Sequence, residues 1–186
     1  TSWSSQNNAW QTLNSASFHP MVVNGLFLYI GNDDDMASVD DTGTFTANGT
    51  PSVTWNSLQP EYSIKTIENY GNDLLVGANI TTNHATAKVF RFDQVSPSYI
   101  TDDDIPEDGI NAFIPADNNV MFVQAGSSGN IYYYDGTYLE KIKKIRGDYT
   151  NKKMTVHPGS VCNFLGRSLF GVSNSSSDPC NQGVYS

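Results

Sequence analysis

Two clusters of carboxylates are the side chains in this sequence best suited to bind a ligand. They are Asp33, Asp34 and Asp35 in the first cluster and Asp102, Asp103 and Asp104 in the second. Carboxylate oxygens are the ligands that Ca²⁺ prefers, so calcium is the one cofactor that such clusters could hold. Their spacing matches no calcium-binding loop, however, and Asp108-Gly109 lacks the distal glutamate of an EF-hand. We therefore predict no resident cofactor and interpret the six aspartates as solvated loops that form a binding surface.

The histidines do not assemble into a catalytic motif. His19 and His157 each precede a proline and stand 138 residues apart, three times 46, as expected of structural positions in a repeat. His84 is predicted in a loop. No HExxH motif and no glycine-rich phosphate loop occurs in the sequence.

One segment is similar to a turn of a known enzyme class. Residues 38–45 are similar to the Asp box of sialidase-like propellers, with one residue too many, and that box stabilises a hairpin without taking part in catalysis. A sialidase also needs several arginines that converge on a carboxylate. The three arginines are Arg91, Arg146 and Arg167. They are predicted in different kinds of element and should not converge, so we do not expect a sialidase. With no catalytic motif in the sequence either, we expect that the chain is not an enzyme.

The charge balance narrows the class of partner. The 186 residues include 10 basic and 19 acidic side chains, which gives a net charge of −9. Phosphate binding needs a basic surface, so nucleic acid is excluded as a partner. No apolar run approaches the roughly 18 residues of a transmembrane helix, and we expect no membrane association.

One basic stretch stands out in this acidic chain. It runs through residues 141–146 and continues at Lys152 and Lys153. Its imperfect alternation of charged and apolar residues indicates an outer edge strand, whose charges would prevent aggregation between sheets. The alternative is a docking patch for an acidic neighbouring subunit.

The two cysteines, Cys162 and Cys180, are too few for a disulfide scaffold. They also lack the paired spacing of a zinc site. We predict both in the last repeat unit, where either one bridge or two reduced thiols would fit.

A repeat near 46 residues organises the chain. Four segments combine a turn, an apolar run and a glycine, and the closing glycines Gly31, Gly77, Gly126 and Gly171 are 46, 49 and 45 residues apart. Residues 10–13 and 55–58, Trp-Gln-Thr-Leu and Trp-Asn-Ser-Leu, repeat after 45 residues. We predict that the four glycines end equivalent strands in four successive units.

Each unit is predicted to contain four short antiparallel strands, which we call A to D in chain order. Aromatic residues, β-branched residues and turns rich in Gly and Asn favour strands throughout. Four strands in 40 to 50 residues is typical of a β-propeller blade. The predicted D strands are residues 10–13, 53–58, 98–100 and 138–145.

The predicted fold is therefore all-β, a propeller of about four four-stranded blades, either closed or part of a larger propeller. Residues 1–186 form one domain or fragment, with units at about 14–58, 59–100, 101–145 and 146–186. The strand at residues 10–13 would belong to a neighbouring or closing blade. A β-sandwich or β-solenoid fits the period less well.

The blade sequences resemble a propeller type found in uncharacterised virion structural proteins of tailed bacteriophages. The matching phrases are residues 70–77, 89–93 with 96–99, 130–136 and 183–186. The resemblance covers residues 18–186 and implies a role on a virion surface or tail, with no catalytic residues.

Three functions remain open on this basis. The first is a non-enzymatic structural and recognition propeller of a virion or cell-surface assembly with many subunits, located on the virion or outside the cell. Its partners would be other structural proteins, or a host surface or glycan. The second is a carbohydrate-binding propeller that uses Trp3, Trp10 or Trp55, and the third is a glycoside hydrolase or lyase. In the first, binding resides in the B–C and D–A loops, which emerge on one face.

Overall fold

The computed structural model describes residues 13, 18–59, 61–80, 86–126, 129–144, 154–174 and 183–186. In these residues the chain forms fifteen β-strands and no helix, so the prediction of an all-β fold is confirmed. The described part contains no helix that could span a membrane. The strands are β1 (Met21–Asn24), β2 (Phe27–Asn32), β3 (Asp35–Asp40), β4 (Phe45–Thr46), β5 (Tyr62–Tyr70), β6 (Asp73–Ile80), β7 (Ala87–Phe92), β8 (Thr101–Ile105), β9 (Ile110–Pro115), β10 (Met121–Ala125), β11 (Asn130–Tyr134), β12 (Leu139–Lys144), β13 (Met154–Phe164), β14 (Arg167–Asn174) and β15 (Gly183–Tyr185).

The strands form four antiparallel sheets, each built from strands that are consecutive in the chain. Sheet 1 contains β1–β4, sheet 2 contains β5–β8, and sheet 3 contains β9–β12. Sheet 4 contains β13–β15, so its described part has three strands. The predicted strand at residues 10–12 lies outside the described residues.

The outer strands differ from those predicted. In sheet 2 the fourth strand is Thr101–Ile105 rather than residues 98–100. The Asp93 carboxylate holds the preceding segment in a turn by accepting the amides of Val95 and Ser96, and Pro97 has no amide to offer a neighbouring strand. In sheet 1 the fourth strand is Phe45–Thr46, and residues 55–58 follow it as a loop.

Three apolar clusters join the sheets face to face. The first lies between sheets 1 and 2, the second between sheets 2 and 3, and the third, which is smaller, between sheets 3 and 4. In the first cluster Trp55 stacks between Tyr29 of β2 and Phe92 of β7, with ring centroids 5.6 and 5.1 Å away. Stacking of this kind contributes about 0.5–1.5 kcal/mol beyond the burial of area. The loop of residues 55–58 is therefore a wedge between two sheets.

A hydrogen bond donated by a backbone amide at one repeated position links each later sheet to the one before it. The Ile64 amide donates to the Asp33 carbonyl oxygen at 2.7 Å. The Ile110 amide donates to Asn79 Oδ1 at 2.7 Å, and the Val156 amide donates to Gln124 Oε1 at 3.0 Å. Each amide stands beside a β-bulge, where the register between the first two strands of its sheet shifts. The bulge turns the amide away from its own sheet, and an oxygen of the preceding sheet accepts it.

The same position recurs every 46 residues, at Phe18, Ile64, Ile110 and Val156. The last three side chains are 5%, 1% and 0% exposed, because each packs against the preceding sheet. Phe18 in the first unit is 57% exposed. The side chain at this position is therefore buried where a preceding sheet packs against it.

The glycines only partly follow the predicted equivalence. Gly77 pairs with Thr66, and the Gly31 amide bonds to the carbonyl oxygen of Pro20, 46 residues earlier than Thr66. In sheet 3 the residue at this position is Gln124, and Gly126 lies two residues further, beyond the end of β10. The prediction that the glycines end their strands is wrong, because Gly31, Gly77 and Gly171 lie within β2, β6 and β14, and Gly126 follows the last residue of β10. One extra residue in the turn between β9 and β10 shifts the equivalent position in sheet 3 by one residue, to Gln124.

Three aspartates at the turns between third and fourth strands act as turn caps. The Asp40 carboxylate accepts hydrogen bonds from the hydroxyl and amide of Thr42, and Asp93 accepts those of Ser96. Asp135 accepts amides in the same way. These bonds favour the ionised form and hold the pKa of each carboxyl below its usual value. The resemblance of residues 38–45 to an Asp box thus corresponds to a structural turn.

Gly77→Ala should destabilise the fold by about 1–3 kcal/mol, the cost of overpacking a core. An added Cβ would lie 2.6 Å from Thr66 Cγ2 and 2.8 Å from Ile110 Cγ2, and both neighbours are buried. The matched control is Gly159→Ala, because an added Cβ there meets nothing within 4 Å. Urea unfolding should separate the two variants. Equal stabilities would show that sheets 2 and 3 do not pack closely at Gly77.

Candidate functional site

The turns and connections at one end of the sheets form the surface that we call the loop face. Its described parts are the turn at Asp33 and Asp34, the connection of residues 106–109, and the residues around Gly126. In each antiparallel sheet the second-to-third turn and the connection to the next sheet emerge at the same end. The Gly126 amide donates to the Gly109 carbonyl oxygen at 2.7 Å, which joins two of these parts.

The first aspartate cluster lies on the loop face as predicted, but its members are not equivalent. Asp33 is exposed and adopts a positive φ of 61°, which a tight turn between β2 and β3 requires. Its carbonyl and that of Asp34 accept the amides of Ile64 and Leu58, so the turn backbone is fixed to the next unit. Asp35 is the first residue of β3, and its Oδ1 is buried.

The carboxyl of Asp34 has an unusual environment for a surface aspartate. Burial raises its pKa, and the neighbouring charges of Asp35 and Asp33 raise it further, while a hydrogen bond from the Asp34 amide lowers it. A cation approaching this turn would relieve that repulsion. The turn therefore favours a positively charged or hydrogen-bond-donating partner.

The second aspartate cluster was predicted in a loop, and this prediction is wrong. Asp102, Asp103 and Asp104 lie within strand β8, where they pair with Phe90, Val89 and Lys88 of β7. Asp104 forms an ion pair with Lys88 at 3.2 Å. Because successive residues of a strand point to opposite faces, the carboxylates of Asp103 and Asp104 lie on opposite faces of β8.

Glu107 is the carboxylate with the most partners on the loop face. Its Oε1 accepts hydrogen bonds from Asn130 Nδ2 at 2.5 Å and Tyr132 Oη at 2.8 Å, and lies 3.6 Å from Lys141 Nζ. The side chain is only 14% exposed. Burial and the Glu107 carboxylate together raise the pKa of Tyr132 far above its usual value. Glu107 thus ties the 106–109 connection to β11 and β12.

Glu107 lies in the acidic segment after Asp104, and nothing in the sequence distinguishes it from its acidic neighbours. The run of three tyrosines at residues 132–134 places Tyr132 and Tyr134 on the same face of β11. Pairing with Glu107 depends on contacts between sequence-distant residues and could not be foreseen.

The structure assigns local roles to other candidate residues. His19 Nδ1 lies 2.8 Å from the Gly31 carbonyl oxygen, a contact within the first unit. Arg91 forms an ion pair with Asp73 at 2.5 Å and lies over the ring of Tyr70. Cys162 is a free, exposed thiol in β13. His84, Arg146 and Cys180 lie outside the described residues.

No group of three or more His, Cys, Asp or Glu side chains that could hold a metal ion occurs in the part of the chain that the structure describes. In its described part, the acidic groups that the loop face exposes include Asp33 at the turn between β2 and β3. Its chemistry suits contact with basic or polar groups of a partner.

Glu107→Ala should lower the free energy of unfolding by about 1–3 kcal/mol, because it leaves Asn130 and Tyr132 without their acceptor. The control is Asp104→Ala, which removes an exposed ion pair and should cost roughly 0–1 kcal/mol. Chemical denaturation measures both. A Glu107 variant no less stable than the Asp104 variant would contradict the structural role of Glu107.

No protein family matches the chain, and no curated protein matches it either. The assignment of a function therefore depends on these residues and their geometry.

Proposed function

We propose that the chain is a non-enzymatic β-propeller, closed or part of a larger one, that serves as a structural and recognition module of a virion or cell-surface assembly. Its sheets would be the blades, and its loop face would contact other structural proteins or a host surface. The observation that carries the proposal is the repeated inter-sheet hydrogen bond at Ile64, Ile110 and Val156. Because the same link recurs every 46 residues, each sheet should be related to the next by a similar rotation, as successive propeller blades are.

Exposure in the first unit supports a radial array with further neighbours. Met21, Ile67 and Phe113 occupy equivalent positions 46 residues apart, opposite Ile30, Val76 and Val123. Ile67 and Phe113 are 5% and 2% exposed against a preceding sheet, whereas Met21 is 53% exposed. Met21 and Phe18 thus present apolar surface where a preceding blade would pack. That blade would be sheet 4 in a closed ring, or another unit in a larger propeller.

The recognition role is supported by the contrast between a fixed turn backbone and its free acidic side chains. Hydrogen bonds to Ile64 and Leu58 hold the Asp33–Asp34 backbone in place, while the Asp33 carboxylate points to solvent. Binding groups are commonly carried by loops that a rigid scaffold positions in this way.

One of the three tryptophans named for the carbohydrate-binding alternative, Trp55, cannot stack on a sugar. Trp55 is 3% exposed between Tyr29 and Phe92, so it has no free ring face for a sugar. Trp3 and Trp10 lie outside the described residues. A glycan array with the intact chain tests this alternative, and saturable binding to a saccharide would favour it over protein recognition.

The hydrolase alternative requires two carboxyl groups separated by roughly 5–9.5 Å across an open cleft. Among the described candidates, Glu107 is occupied by Asn130, Tyr132 and Lys141, and Asp104 is paired with Lys88. Both carboxylates serve local structure, which favours the non-enzymatic proposal.

Replacing Asp33 and Asp34 by Asn should weaken binding of a basic probe to the loop face without lowering thermal stability. The probe is a peptide of alternating Lys and Gly, titrated against the chain labelled at the exposed thiol of Cys162 and followed by fluorescence anisotropy. Asp35 is kept, because its buried Oδ1 gives it a place in the fold. We expect a loss of roughly fivefold in affinity, with binding weakened by salt.

The control variant carries Asp41→Asn and Glu140→Gln, two exposed residues away from the loop face. It removes the same two charges, so a purely global charge effect would weaken binding equally in both variants and contradict the assignment. A melting temperature lowered by several degrees with unchanged binding would make the Asp33–Asp34 turn structural.

A further inference from the structure

A groove of about 980 Å³ lies between sheets 3 and 4. Its walls are mainly apolar, and Ile142 on its wall is 51% exposed. The corresponding spaces between the earlier sheets are filled by the larger first and second clusters. The lining residues are Ile114, Ala116, Asp117, Phe122, Ile131, Ile142, Lys143, Lys144, Gly166, Arg167, Ser168, Phe170 and Ser186.

Three basic side chains line this groove. Lys143, Lys144 and Arg167 are exposed, and none forms an ion pair within the described ranges of the chain. Lys141, two residues before Lys143 in the same strand, instead forms an ion pair with Glu107 at 3.6 Å. The groove is also lined by Asp117, so its described lining carries three cations against one carboxylate, a local positive excess in a chain with a net charge of −9.

The groove also adjoins sheet 4. Sheet 4 has three strands in its described part, whereas the other sheets have four, and β15 forms its outer edge there. Tyr185 of β15 pairs with Phe170, and both Phe170 and Ser186 line the groove. An unpaired strand edge can hydrogen-bond to an added extended segment, whose side chains then fill the neighbouring pocket.

We propose that this groove binds an extended segment of a partner polypeptide that combines apolar and acidic side chains. The segment would add to the edge of β15, place its apolar side chains on Ile142, Phe122 and Phe170, and bring its carboxylates to Lys143, Lys144 and Arg167. The site lies apart from the loop face, and the proposal does not depend on which partner the loop face binds. It gives the basic stretch of β12 a specific role, the docking of an acidic neighbouring subunit.

The test uses the full 186-residue chain and three fluorescein-labelled heptapeptides. One alternates Glu with Val, a second replaces Glu by Lys, and a third replaces Val by Ser. We expect the Glu/Val peptide to bind at least roughly tenfold more tightly than either of the others, because it alone satisfies both the charge and the apolar surface. Amide shifts in ¹⁵N spectra should map to β12, β14 and β15.

Matched variants locate the contact. Arg167→Glu should weaken binding of the Glu/Val peptide by roughly fivefold or more, whereas Lys65→Glu, an equal change at an exposed residue of sheet 2, should change it less than about twofold. Spectra of both variants must show the dispersion of the parent chain, so that loss of folding is distinguished from loss of binding.

Several results would overturn the proposal. Equal affinity for the Glu/Val and Glu/Ser peptides would show that the apolar side chains of the groove do not contribute to binding. Equal affinity for the Glu/Val and Val/Lys peptides would show that the cations do not contribute to binding. Amide shifts confined to the loop face would show that the peptide binds there and not in the groove. Octanoate binding as tightly as the Glu/Val peptide would identify a small amphiphile as occupant, and nuclear Overhauser contacts from another part of this chain to the Phe170 ring would show that the chain fills its own groove.

Discussion

The fold depends on the satisfaction of one backbone amide at the start of each successive sheet. At Ile64, Ile110 and Val156 a β-bulge takes the amide out of the ladder, and an unpaired buried amide would cost roughly 1–3 kcal/mol. The preceding sheet supplies the acceptor each time, and this fixes the height and direction of one sheet relative to the next. The side chain of the same residue packs into the preceding sheet, so hydrogen bonding and burial select the same arrangement.

The sequence predicts the strands well and the links between sheets poorly, for a physical reason. Alternating apolar residues and Gly or Asn turns are local signals, and they located the first three strands of the units and the Asp turns. The acceptors of the linking bonds are a backbone carbonyl, an asparagine and a glutamine, at Asp33, Asn79 and Gln124. Because three different chemical groups perform the same geometric role, the acceptors leave no recognisable pattern in the sequence. The extra turn residue of sheet 3 also shifts the register by one residue, so the sequence spacing did not show that Gln124 is equivalent to Gly77.

The candidate sites show the same limit. Asp33 and Asp34 were placed correctly because a short turn between two clear strands is a local feature. Asp102–Asp104 were misplaced because a run of aspartates is typical of loops, whereas pairing with β7 and the ion pair to Lys88 hold them in a strand. Much of the acidity of the chain thus caps turns and neutralises strand cations. We propose that partners bind at two charged places, the acidic turn at Asp33–Asp34 and the cations of the groove.

Hydrogen exchange followed by NMR tests the central claim most directly. If the inter-sheet bonds order the array, the amides of Ile64, Ile110 and Val156 should exchange only on global unfolding, as slowly as ladder amides of buried strand residues such as Val76 and Val123. Exchange of these three amides at rates near those of an unstructured peptide, while Val76 and Val123 remain protected, would show that the sheets fold without the links and would contradict the account.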